Sequence, residues 1–167
     1  MARVLLALVL SASASFAGCG GGGGGGPRPG PARAGGPVDA FSAVFRAVEQ
    51  WRQGWQVRSV EALEPLYRHD DHTVIVYQGR AQRGWPRAQA WLRGQLAGAQ
   101  AVHLRLDNGV VTTLGEGGAT FTARLGRERS DGVLTATDEG FLTLTFAWAD
   151  GAWQIVAEHY SYAPGGS

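Results

Sequence analysis

An α+β fold, with three N-terminal helices packed on a strongly curved antiparallel sheet, is predicted for residues 38–167 by three observations. Apolar residues recur at helical spacing as far as Leu96. From Gln100 onward they alternate with polar residues at strand spacing, and turn signals divide that region into long runs with no further helix between them. The first helix is read from Phe41, Val44, Val48, Trp51 and Trp55, spaced +3, +4, +3, +4, with Asp39 placed to cap it and Gly54 weakening its end. Ser59 can cap a second helix that turns Val60, Leu63 and Tyr67 inward. Pro65 fits only a first turn and so kinks or restarts it. Thr73–Tyr77 and Arg80–Arg83 pair around Gln78-Gly79, after which Trp85-Pro86 opens a third helix with Ala88, Trp91, Leu92 and Leu96 on one face.

Four long strands follow. Val102, Leu104 and Leu106 alternate with His103 and Arg105, Phe121, Ala123 and Leu125 with threonines and Arg124, and Leu142, Leu144, Phe146 and Trp148 with threonines. Asp150-Gly151 is a two-residue hairpin signal that leads into the last strand, whereas Asn108-Gly109 reads either as a hairpin or as a bulge bending a long strand.

Residues 1–37 have a different composition, holding eleven of the 26 glycines and four of the seven prolines. All fifteen basic residues are arginine, and the twelve that lie behind this segment face fourteen acids, which leaves residues 38–167 at −2. That balance excludes a nucleic-acid partner, and the lack of lysine excludes Schiff-base and P-loop chemistry. No cofactor or metal is expected. Met1-Ala2-Arg3, the apolar run Val4–Leu10 and small residues up to Cys19 follow the order of a secretory signal peptide, and the run is shorter than the roughly 20 residues a bilayer requires. Phe16-Ala17-Gly18-Cys19 resembles the bacterial lipobox, which implies a leader over 1–18, lipid on Cys19 and a Gly/Pro-rich tether over 19–37. Such a tether reaches roughly 20–25 Å. The lipid anchors the chain to a membrane, and Gly20 after the cysteine favours the outer membrane, with the domain in the periplasm of the bacterial envelope.

Three local patterns resemble the SnoaL-like branch of the NTF2-like superfamily. They are Leu63-Glu64-Pro65-Leu66-Tyr67-Arg68-His69-Asp70-Asp71, the glycines Gly79 and Gly84 before the third helix, and the closing Asp150-Gly151-Ala152-Trp153-Gln154-Ile155-Val156-Ala157-Glu158-His159-Tyr160-Ser161. The resemblance implies a cone with an internal pocket and commonly a homodimer packed through the open sheet. It does not imply a reaction, since one fold hosts many functions.

Candidate chemistry is sparse. Strict alternation places His159 beside Trp153, Ile155, Ala157 and Ser161, which reads as a pocket histidine or as a core one. His103 and Arg105 line the cone, where Arg105 could hold a carboxylate, or face solvent. Trp55 and Tyr77 stand near element ends as pocket walls. Proton abstraction needs a group in an apolar cavity, and His159, Asp107 and Glu139 are the candidate bases, although Asp107 beside Asn108-Gly109 and Glu139 beside Asp138 and Gly140 read as turn or bulge residues. His69-Asp70-Asp71-His72 can bring at most two ligands together on an extended chain and reads as a solvated turn. The expected function is binding of a small apolar or amphipathic molecule, or dimerisation, without catalysis. The competing readings are an acid–base isomerase, cyclase or dehydratase and a filled, purely structural cone. A sealed interior would favour the last.

Overall fold

The structure, a computed structural model, describes residues 39–162. Its elements follow the expected order. Helix α1 is Ala40–Gln56, with the Asp39 carboxylate accepting from Ser42 N at 3.0 Å, and α2 is Val60–Leu63, with Ser59 Oγ accepting from Ala62 N at 3.1 Å. Pro65 restarts the chain as a 3-10 turn over Glu64–Leu66, which leaves Tyr67 outside any helix, bridging to Ile155. Strands β1 (Val74–Tyr77) and β2 (Arg80–Arg83) form a hairpin, and α3 runs Trp85–Leu96. The long strands are β3 (Ala101–Thr113), β4 (Gly118–Ser130), β5 (Thr135–Ala149) and β6 (Ala152–Tyr162).

All six strands join one curved, unclosed sheet in the order β2-β1-β6-β5-β4-β3, antiparallel except between β1 and β6. Gln78-Gly79 and Asp150-Gly151 have positive φ at both positions, as two-residue hairpin turns matched to strand twist require. Asn108-Gly109 is a bulge and not a hairpin: Asp107 pairs with Arg124 and Val110 with Thr122, so β3 carries one extra residue. The core lies between the helices and the inner face of the sheet, where Val44, Val48, Trp51 and Trp55 of α1 meet Leu104, Phe121, Leu125, Leu142, Leu144 and Ile155. Phe41, expected in that row, is mostly exposed at the first turn of α1, and its ring stacks edge-on with Phe45, 4.8 Å between centroids.

A second bulge lies in β6, where Thr145 pairs with Ala157 but Phe146 with Ile155, so Val156 is the extra residue. One inserted residue reverses the faces of everything beyond it. Trp153 and Ile155 point inward, and so do Glu158 and Tyr160, while His159 and Ser161 are exposed. The expected row that put His159 with Trp153 and Ile155 is corrected by this bulge. Among the described residues no helix is long and apolar enough to cross a membrane.

Candidate functional site

The inward turn of β6 creates the most unusual polar centre in the domain. Glu158 is fully buried, with Oε2 accepting from the Tyr67 hydroxyl and from Trp51 Nε1 (3.3 Å), and Oε1 accepting from the Tyr160 hydroxyl. Trp51 Nε1 also reaches Tyr67 Oη at 3.0 Å. Burial pushes the Glu158 carboxyl up to about 7 against the opposing pull of these donors and of the Arg127 charge. Burial and the neighbouring carboxylate drive the Tyr67 and Tyr160 hydroxyls well above the ordinary phenol range, so both remain donors.

A second buried charge stands nearby on β4. Arg127, with a side chain 3% exposed, donates from Nε and Nη2 to Asp138 and from Nη2 to Tyr77 Oη at 2.7 Å. Its guanidinium lies 5.2 Å from the Tyr77 ring centroid and 5.3 Å from that of Tyr162, a double cation–π contact. Burial alone would lower its pKa, but Tyr162, Asp138 and Tyr77 outweigh that and hold it more firmly protonated than a free arginine. Trp91 links the two centres, 5.3 Å from Tyr77, 6.0 Å from Tyr160 and 6.1 Å from Trp55. The interior is therefore filled by aromatic rings, and both oxygens of its carboxyl are taken by protein donors.

Space is found instead along the edge strand. A groove of about 410 Å³ runs between α1 and β3, with Phe45, Val48, Leu104, Leu106 and Phe121 as floor and Glu49, Arg52 and Arg105 at the rim. Gly109 keeps it open: a Cβ there would stand 2.7 Å from the Phe121 ring. An adjoining cleft of about 310 Å³ shares Leu104 and Arg105 and adds Gln56, His103 and Glu139. The rim charges are balanced, since Arg52 bonds Glu49 and Gln56 while Arg105 bonds Asp107 and Glu139. The groove thus offers an apolar bed with hydrogen-bonding groups beside it.

The residues singled out from sequence fall into three places. Arg105 and His103 border the clefts. Trp55 and Tyr77 meet Trp91 in the filled interior, with Trp55 Nε1 buried and unbonded. Asp107 is paired with Arg105 at 2.7 Å and partly solvated, outside any apolar cavity, and His159 faces outward. Cys19 lies outside the described residues. In the His69–His72 segment, Asp70 Oδ1 accepts from His72 N and Thr73 N as an Asx turn does, and His69 stacks on Trp85 with 4.4 Å between centroids. Among the described residues no cluster of three or more candidate metal ligands forms.

Sequence reasoning missed Glu158 and Arg127. A signal existed for the first: the apolar rhythm changes phase, from Trp153 and Ile155 to Tyr160 and Tyr162, which is what an inserted residue does.

A sheet of this order and curvature, backed by three helices on one face, also occurs in solved structures. A candidate dehydratase of the NTF2-like family from Streptomyces avermitilis aligns with a TM-score of 0.67 at 16% identity, over 74% of this chain and 96% of that one. The domain has the NTF2-like fold. An NTF2-like superfamily protein from Salmonella enterica serovar Typhimurium gives a TM-score of 0.67 at 17% identity over 75% and 92%. A candidate aromatic ring hydroxylase from Novosphingobium aromaticivorans gives 0.68 at 16% over 77% and 92%. No family model and no curated protein matches the chain. At these identities the NTF2-like likeness is one of fold, and the diverse names of these proteins carry no single chemistry across.

Proposed function

We propose that this chain is a lipid-anchored envelope protein whose NTF2-like domain binds a small amphipathic molecule in the groove between α1 and β3, without catalysis. The observation that carries the reading is the groove itself, whose floor of Phe45, Val48, Leu104, Leu106 and Phe121 is an apolar bed beside hydrogen-bonding rim groups, whereas the interior is occupied by Trp51, Trp55, Tyr67 and Phe146. The balanced rim suits a neutral or zwitterionic polar end better than a strongly charged one. Titration of the Cys19→Ser chain, which lacks the expected lipid, with an NBD-labelled lysophosphatidylcholine, a zwitterionic amphiphile, should show saturable binding. Leu106→Trp, filling the groove from a half-buried position, should weaken that binding at least about tenfold with the melting temperature held. Equal binding by the variant would move the site elsewhere.

One observation favours a second reading, an acid–base enzyme of the dehydratase kind. Glu158, at a pKa of about 7 between two tyrosine hydroxyls, has the proton affinity a general acid or base needs at neutral pH. It would require a substrate to displace Tyr67 or Tyr160 from the carboxyl. Loss of turnover in Glu158→Gln, with groove binding intact, would establish it.

A further inference from the structure

The two ends of the domain differ in how the chain is attached to them. Phe45 lies 3.7 Å from the position of a Cβ on Gly109, while Val48, Glu49 and Arg52 border the groove with Leu104 and Leu106, so α1 runs antiparallel to β3. The start of α1 is therefore beside the end of β3 and its turn into β4. Two large apolar side chains are open to solvent there, Phe41 (56% exposed) and Leu114 (55%), while Val110 (57%) shares the outer face of the sheet with its partner Thr122. Trp148 joins the same end, its backbone N–H donating to Gly117 O at 2.9 Å. Phe41 is the outermost ring of a column that continues through Phe45 to Phe121, with centroids 4.8 and 5.7 Å apart, and so leads directly to the floor of the groove.

This is also the end at which the chain enters the domain, at Asp39, with nineteen residues between it and Cys19. We propose that the Phe41–Leu114 end is the membrane-facing end of the domain and rests on the lipid surface, with these side chains at headgroup depth and the groove opening beside it. The proposal rests on the anchored reading above. A reach of roughly 20–25 Å from the lipid suffices to seat this end on the bilayer, whereas α1 alone adds about 25 Å before the far end is reached. That far end carries its own exposed pair, Val133 (90%) and Leu134 (72%), and is the rival surface.

Because lipid would occupy the sulfur of Cys19, a cysteine introduced elsewhere is the only free thiol. Full-length Leu114→Cys and Leu134→Cys proteins, carrying an NBD fluorophore and reconstituted in phosphatidylethanolamine–phosphatidylglycerol vesicles, give the test. The label at 114 should brighten about twofold or more and be quenched by nitroxide lipids, while the label at 134 stays water-like. A water-like label at 114 on a protein whose intact mass confirms the lipid overturns the docking and leaves the anchor standing. Lipid contact at 134 with none at 114 overturns it in favour of the far end. An unmodified Cys19 in the intact mass overturns the anchor itself, and the docking with it.

Discussion

Glu158 is a carboxyl whose native pKa of about 7 stands above that of the unfolded chain, so folding takes up a proton between roughly pH 4.5 and 7. The stabilising contribution is fully present below the unfolded pKa and is lost as pH rises through 7, a loss of roughly 3 kcal/mol if the whole shift is expressed. Thermal melts of the Cys19→Ser chain should thus fall between pH 5 and 7.5, and Glu158→Gln, which stays neutral, should flatten that slope. A variant that keeps the slope would place its source in another group. Arg127 works differently. Its charge is permanent and its partner Asp138 is one-third exposed, so Asp138→Asn should cost roughly 2 kcal/mol, visible as a lower midpoint in urea. Neither residue is singled out as a site by sequence, although the phase change between Ile155 and Tyr160 marks where Glu158 turns inward. A lone glutamate and a lone arginine on strands carry no spacing rule: Arg127 follows the alternation of Phe121, Ala123 and Leu125 inward, whereas the direction of Glu158 depends on a bulge set by tertiary pairing.

At the level of elements, nearly every helix and strand could be read in advance because each has its own period and its own punctuation. Asp39, Ser59 and Pro86 mark helix starts, and Gln78-Gly79 and Asp150-Gly151 mark turns. The bulge in β3 announced itself through Asn108-Gly109, whereas that in β6 falls on Val156, a residue at home in any regular strand. Trp148 and Trp153 pair across the last hairpin, with 5.6 Å between centroids. Gly54, read as a weak point, is instead a contact requirement: a Cβ there would lie 2.6 Å from Leu63 Cδ2. Gly54→Ala should destabilise by about 1–2 kcal/mol despite better helix propensity, because overpacking against α2 outweighs it. Gly94→Ala in α3, with open space around it, should stabilise by up to about 1 kcal/mol. Opposite signs in the two melts would separate crowding from propensity.

For the molecule as a whole, the outer face of the sheet is the surface where the resemblance to known folds implies pairing. Phe141 is exposed there between the ion-paired Arg124 and Glu139 and the threonines of β5. Sedimentation of the Cys19→Ser chain should give a dimer, and Phe141→Asp a monomer of unchanged melting temperature. A dimer that survives the substitution uses another face. Strand order also bears on how such a protein is made. β6, the last strand synthesised, lies between β1 and β5, and it brings Glu158 to Tyr67 and Tyr160 to Trp91. Until residues 152–162 have emerged, the first hairpin has no strand to join and the interior has no centre. Contacts of such long sequence separation form late. A nascent chain with this topology cannot close its core around Glu158 before residues 152–162 have emerged.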